Sequence, residues 1–448
     1  MRDEAHTQRS YTLVILTLDN HAAGPMARAS LRLAQDFPGL KVDVHAAAEW
    51  NENPEALDAA RRAIAGADMI MANLLFLEPH VKPILPDLRA ARDRVDGMIG
   101  VIADAEIVKL TRIGKLDMMQ PASGMMALMK KLRGSSKPSA EDGAKKMAML
   151  RRLPRILRMI PGKAQDLRSW FLVMQYWLGG SDDNMEQMVR YLLGRYAVSR
   201  PDWLGREGAA PIEYAEVGLY HPDLPQRITT RASDLPGPKQ PVATVGLLMM
   251  RSYVLSGDCA HYDGVIRAFE ARGVRVLPAF AAGLDGRPAV EAFFMDDGEA
   301  KIDALVSLTG FSLVGGPAYN DSDAAVRVLK ALDVPYIAAH PLEFQTLGQW
   351  AASDTGLGPI ETTMLVALPE LDGATCPTVF AGRHGASGCD GCRHACRAPE
   401  DHAKSMQPCP ERIDSLVEKT MRAASLRRKR NADKTAAIVL FGFPPNAG

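Results

Sequence analysis

No apolar run in this 448-residue chain reaches the roughly 18 residues that a membrane span requires. The early run from Tyr11 to Leu18 is stopped by Asp19 and has no small-residue cleavage site, so a secretory signal is not expected and the expected address is the cytoplasm. Net charge is also missing. With 53 Lys+Arg against 53 Asp+Glu, bulk charge cannot hold nucleic acid or an anionic membrane, and any basic site is local. Cysteine is scarce: six residues are too few for a disulfide scaffold, and four of them fall between Cys389 and Cys409, a clustering that points to a metal. The other two, Cys259 and Cys376, are expected to be buried small hydrophobes.

Several chemical motifs are absent as well. There is no G-x-x-x-x-G-K-[ST]: the Gly114-Lys115 and Gly162-Lys163 pairs lack both the upstream glycine and the Ser/Thr, so no phosphate-cradling loop of that type is present. H-E-x-x-H, G-x-S-x-G and G-x-G-x-x-G are missing too, which disfavours a self-contained hydrolase or nucleotide enzyme. What the chain does have is an ordinary globular composition, 47% hydrophobic and 24% charged, which excludes disordered and fibrous classes. Its length suggests about three domains at about 150 residues each.

Short apolar runs at 12–18, 40–45, 68–75 and 95–103 alternate with helical periodicity at 26–36, 54–65 and 81–94. Strands separated by helices of this length need crossover connections, which predicts a parallel, doubly wound α/β domain over 1–115. Its ligand edge lies at the C-terminal strand ends, near Asp19, Asn20, His21 and Asn73. Residues 116–200 read as a helical, basic, Met-rich region. From Lys115 to Arg195 there are 11 of the 22 methionines, and from Lys130 to Arg168 twelve basic residues face three acids. The basic and apolar positions do not sort onto one sustained face, so solvated helices with Met in their seams are expected there, with a mobile loop at 134–143.

A Pro- and Gly-rich stretch, 201–241, reads as a linker, and a second α/β domain follows over 242–345. A cysteine-bearing region is expected at 346–434, and 435–448, with a strand at 436–441, reads as the start of a further α/β unit. The cysteines are spaced C-x2-C-x3-C-x12-C, as Cys389, Cys392, Cys396 and Cys409, the last followed by Pro410. Four thiolates suit a structural zinc ion or a [4Fe-4S] cluster, and spacing alone leaves both open; His394 and His402 are alternative zinc ligands. Arg251, Asp258 and His261 follow the first strand of the second block, where α/β domains present ligands, and are the candidate substrate-binding residues. Asp258 or Ser256 capping the next helix is the competing reading. The segment from Thr309 to Asn320 is expected to line the same crevice.

Leu16-Thr17-Leu18-Asp19-Asn20-His21, Val44-His45-Ala46-Ala47-Ala48-Glu49-Trp50 and Asn73-Leu74-Leu75-Phe76-Leu77-Glu78 carry a resemblance, as do Val108-Lys109-Leu110-Thr111-Arg112 and Gly257-Asp258-Cys259-Ala260-His261-Tyr262-Asp263. Val366-Ala367-Leu368-Pro369-Glu370-Leu371-Asp372-Gly373 and Phe441-Gly442-Phe443-Pro444-Pro445-Asn446 complete it. Together they resemble the magnesium chelatase/cobaltochelatase large-subunit family, on the magnesium side. The resemblance implies the N-terminal part of a porphyrin-binding subunit that presents protoporphyrin IX for Mg²⁺ insertion in bacteriochlorophyll synthesis, while two AAA+ ATPase partner subunits use the ATP. It implies a [4Fe-4S] cluster on the four cysteines rather than zinc, and a catalytic portion beyond this chain, so no catalytic residue is assigned here. Peripheral membrane contact is compatible with it; nucleic acid is not an expected partner. The alternatives are a cobaltochelatase large subunit and a non-catalytic iron-sulfur or redox-sensing module.

Overall fold

A computed structural model of the chain describes residues 10–18, 22–47, 50, 53–120, 152–316, 319–385, 388–397 and 405–440. Two mixed sheets carry the described residues. The first holds β1 (Tyr11–Thr17), β2 (Leu40–Ala46), β3 (Met69–Asn73), β4 (Gly97–Val101), β5 (Arg112–Ile113) and β6 (Leu116–Asp117), in the order β2-β1-β3-β4-β5-β6. The first four are parallel and the last two close as an antiparallel hairpin. β3 and β4 are buried along their whole length, because helices lie on both faces of a parallel sheet.

Alternation along β1 sorts its side chains onto those two faces. Val14 and Leu16 pack with Ile64 of α2 (Pro54–Gly66) and Leu88 of α3 (Leu85–Ala91). Tyr11, Leu13 and Ile15 pack with Met26 and Leu33 of α1 (Ala23–Asp36), and with α4 (Lys163–Gly179) and α5 (Asp182–Tyr196). The described part of the region expected to be a separate basic unit is therefore half of the first domain's core. Trp170 and Trp177 of α4 are buried in it, and the Trp170 Nε1–H donates to the Gly100 carbonyl at 2.8 Å. The loop expected at 134–143 lies outside the described residues, as do Asp19, Asn20, His21 and His402.

The stretch expected as a linker is structured too. Trp203 is fully buried against Tyr11 and Phe37, with ring centroids 5.2 and 5.3 Å away. Further on, β7 (Val217–Tyr220) and β8 (Ile228–Thr229) join the second sheet. Strands of four and two residues leave no readable alternation, which is why composition alone suggested a linker.

After β9 (Thr244–Met250) and β10 (Arg275–Ala281) of the second sheet comes a separate two-stranded hairpin, β11 (Met295–Asp296) and β12 (Glu299–Ala300), and then β13 (Ala304–Ser307), again of the second sheet. Another hairpin, β14 (Gly315–Gly316) and β15 (Tyr319–Asn320), precedes β16 (Tyr336–Leu342), β17 (Thr375–Gly382) and β18 (Gln407–Pro408). Its order is β18-β17-β16-β13-β9-β10-β7-β8, parallel from β10 through β17 and antiparallel at both ends. β9 is followed by α6 (Arg251–Ser256) and α7 (Ala260–Glu270); α7 and the C-terminal α8 (Pro410–Arg428) share one core with Phe380 of β17. The cysteine-bearing region is thus an edge of this domain rather than a unit of its own.

Two further expectations fail. Residues 436–440 form no strand, and Ile438 and Leu440 are 87% and 88% exposed, because no strand among the described residues pairs with them. Phe441 to Gly448 lie outside the described residues. Cys376 is exposed at φ +54°, at the irregular start of β17, whereas Cys259 is buried as expected.

Candidate functional site

The C-terminal edges of the two sheets differ in what they offer. In the first, Asn73 ends β3 in register with Thr17 of β1, fully buried, with neither amide atom hydrogen-bonded. In the second, the crevice at the ends of β9, β10 and β13, which includes Thr309 to Leu313, is almost closed. Its free volume is about 20 Å³, enough for a water molecule.

The three candidate ligand residues of the second sheet do not converge. Arg251 opens α6 directly after β9, and its guanidinium donates to three backbone carbonyls: Ala215 at 2.9 Å, Tyr214 at 3.1 Å and Leu178 at 3.4 Å. Asp258 does not cap α7. Its carboxylate accepts the Met406 N–H at 3.1 and 3.2 Å and ties α7's entry loop to β18, while the Ser256 hydroxyl donates to the Tyr253 carbonyl at 3.1 Å. His261 is fully buried between Tyr253 and Tyr262, with ring centroids 5.0 and 3.9 Å away, and stacks toward Phe380 at 6.0 Å. Neither ring nitrogen has a hydrogen-bond partner, and burial pushes its pKa down to about 3. Its neighbour Asp263 instead accepts the Tyr220 hydroxyl at 2.6 Å. His261 is held as a neutral ring without a proton route.

The four cysteines gather at the C-terminal ends of β16 and β17. Cys389 and Cys409 are buried in one apolar cluster with Leu342, Leu347 and Val379, and Cys392 and Cys396 are half-buried. The Cys389 N–H donates to the Cys396 carbonyl at 2.9 Å, folding the loop back on itself. Gly388 makes this turn at φ +72°; a Cβ there would lie 2.6 Å from the Cys396 oxygen. The Gly391 N–H points at the Cys389 sulfur, 3.5 Å away, and Arg397 pairs with Asp390 at 2.8 Å. Burial, then the neighbouring thiols, push Cys409 up to about 11 and raise Cys396. These thiols hold their protons until a cation compensates the crowded negative charge. Among the described residues no three His, Cys, Asp or Glu side chains converge as a single ion would require.

A larger space lies at the seam between the two domains. Phe171, Met174, Gln175 and Leu178 project from one face of α4, and the strap 211–216 forms the opposite wall with Arg251 at its base. The cavity measures about 320 Å³. Sequence reasoning read these positions as part of a helical seam. Their i, i+3, i+4, i+7 spacing was the available signal for a common face, but the facing strap could not be paired with it from sequence.

The fold and site together define an α/β protein with two large sheets, a four-cysteine loop and a seam cavity of mixed apolar and polar lining. The chain belongs to the CobN/Magnesium Chelatase family, whose model matches residues 174–448; a domain model of unknown function (DUF3479) matches residues 12–171. It is 64% identical, over 98% of its length, to the magnesium-chelatase H subunit of Cereibacter sphaeroides, and covers 37% of that protein. To the chloroplastic magnesium-chelatase ChlH subunit of rice, Oryza sativa subsp. indica, it is 34% identical over 86% of its length, covering 28% of that relative. The aerobic cobaltochelatase CobN subunit of Sinorhizobium sp. is 29% identical over only 46% of this chain, which covers 15% of it. The chain thus spans between 28% and 37% of the length of these magnesium-chelatase relatives. No helix among the described residues is long and apolar enough to cross a membrane.

Proposed function

We propose that this chain is the N-terminal portion of a magnesium chelatase H subunit, which binds protoporphyrin IX and presents it for ATP-dependent Mg²⁺ insertion in bacteriochlorophyll synthesis in the cytoplasm. The observation that carries this is the 64% identity over 98% of the chain to a magnesium-chelatase H subunit. The thinner matches to cobaltochelatase, 29% and 31% identical over 46% and 61% of the chain, support magnesium over cobalt. The physical problem suits a divided machine. Mg²⁺ sheds its waters reluctantly and prefers six oxygen ligands, whereas the macrocycle offers four nitrogens and must lose two protons. That work needs an energy source; the family resemblance implies two AAA+ partner subunits that hydrolyse the ATP, and the missing P-loop motif in this sequence agrees with that division. This chain's share is to hold a flat, apolar molecule by its faces.

The four thiols are read as the ligands of a [4Fe-4S] cluster because their C-x2-C-x3-C spacing, with Cys409-Pro410 following, resembles bacterial iron-sulfur segments. Cys389, Cys392, Cys396 and Cys409 would hold it, and when bound it supplies a one-electron redox centre. The chain's own contribution is the Gly388 turn, the Gly391 N–H aimed at sulfur and the apolar packing of Cys389 and Cys409 that limits water.

The test is metal insertion by the complete subunit with its ATPase partners, comparing Mg²⁺ into protoporphyrin IX with Co²⁺ into a corrin. ATP-dependent Mg²⁺ insertion is expected; preference for Co²⁺, or no insertion of either, would overturn the assignment. The same protein purified without oxygen should carry about four irons per chain, lost in Cys392→Ser.

A further inference from the structure

Resting on the porphyrin-binding reading, we propose that the seam cavity is where this chain touches the tetrapyrrole, gripping one edge of the macrocycle between α4 and the strap 211–216. The space measures about 320 Å³ and is mixed in character: Phe171, Met174, Leu178 and Ile212 give it apolar walls, and Gln175, Glu213, Glu216 and Arg251 its polar ones. Phe171 to Leu178 span seven residues of helix, about 10 Å along its axis, the scale of one side of a flat macrocycle. Leu178 and Ile212, 40% and 43% exposed, are the apolar surface a flat ligand would meet, with Phe171 and Met174 packed beneath as a rigid floor. The size is right for one edge and too small to swallow the whole ring, which leaves the remainder of the macrocycle exposed to whatever delivers the metal.

The location supports the same conclusion. Clefts between domains are where apolar ligands of this size bind, and this one lies at the seam where the match to one family model ends at residue 171 and the other begins at 174. Arg251 is the positioning residue. By donating to the carbonyls of Leu178, Tyr214 and Ala215, its guanidinium fixes the separation of helix and strap, and so the width of the slot. The strap wall itself is accessible: Ala215 is exposed, and Leu178 is 40% exposed at the mouth. On the far side of α4, Trp170 and Trp177 are buried close enough to report an absorbing ligand by loss of fluorescence.

The experiment is titration of protoporphyrin IX into this chain, following tryptophan quenching and the shift of the porphyrin's main absorption band. Ala215→Phe and Leu178→Phe fill the slot from opposite walls at exposed positions, and Leu204→Phe, exposed and outside the cavity, is the size-matched control. One-to-one binding is expected, weakened at least tenfold by each filling variant and unchanged in the control, with far-ultraviolet circular dichroism the same in all four proteins. Binding that is indifferent to both filling variants overturns the location and leaves the functional reading intact. Failure of the unmodified chain to bind porphyrin overturns the inference as well, while the functional reading stands or falls on metal insertion by the complete complex.

Discussion

In the first sheet the order β2-β1-β3-β4 places the change of winding direction between β1 and β3; in the second the same arrangement recurs as β10-β9-β13-β16-β17, with the change between β9 and β13. The same topology, used twice, has been furnished differently. The first domain spends its helices on enclosure, burying Trp170, Trp177 and Trp203 around β1 and ending β3 in a buried Asn73. The second gathers its chemistry at one end: Arg251 at the seam and four thiols beyond β16 and β17. Strand order located both edges, but only the side chains decide what an edge can do. The seam cavity belongs to neither edge alone, since it forms where the cladding of one domain meets Arg251 at the ligand end of the other.

If enclosure is the first domain's role, the largest stability loss should come from its wrapping rather than from its strands. Trp203→Ala removes a fully buried ring from Tyr11 and Phe37, and Arg200, whose guanidinium lies 3.9 Å over that ring, loses its platform. A loss of about 3–5 kcal/mol is expected from urea unfolding followed by circular dichroism. A loss below about 1 kcal/mol would mean that the stretch after α5 is a tether after all, and the contrast between the domains would weaken.

The same tryptophan shows what the sequence could and could not tell. Strands of five to seven residues that are buried on both faces appear as plain apolar runs, so β1, β3, β9 and β16 were legible. The parallel arrangement followed from the helices between them. β7, β8 and β18 were not, because four or two residues among prolines and glycines carry no period. The cysteine loop was legible because its ligands are local. The cavity was not, because its walls come from residues 171–178, 211–216 and 251, which only tertiary structure brings together. His261 shows a related limit: its place after the first strand of the second block made it a ligand candidate, while the fold buries it and turns Asp258 toward Met406 and Asp263 toward Tyr220.

A histidine kept neutral by enclosure gives a second, medium-sized test, located this time in the second domain. His261 has its pKa lowered from an ordinary 6.5 to about 3 by burial. Between those values the unfolded chain binds a proton that the folded chain refuses, so stability is lost as pH falls, by about 1.4 kcal/mol per pH unit. His261→Phe keeps the aromatic packing and removes the proton site. Relative to its effect at pH 7.5, the substitution is expected to stabilise the protein by about 2 kcal/mol at pH 5, read from urea unfolding at both pH values. In the first domain His80 is also shifted down by burial, beside Trp50, so acid sensitivity should remain in the variant. An identical effect of His261→Phe at both pH values would show that the ring is protonated in the fold.

The smallest effect concerns the link between the two domains. Arg28 of α1 forms a two-pronged pair with Asp182 at the start of α5, both contacts at 2.7 Å, and also donates to the Ser256 carbonyl at the end of α6, 2.9 Å away. The pair is half exposed, so solvent screens it and side-chain ordering offsets much of its attraction. Arg28→Ala should therefore cost about 0.5–1 kcal/mol, and most of that difference should vanish in 1 M salt. The carbonyl contact gives the measurement its second use, because it is the part that spans the domains. If Asp182→Ala reproduces the whole effect, the arginine serves only the first domain's cladding. If Arg28→Ala costs more, and also weakens porphyrin binding in the neighbouring slot, the two differently furnished sheets are held in working register by a contact that contributes little to stability.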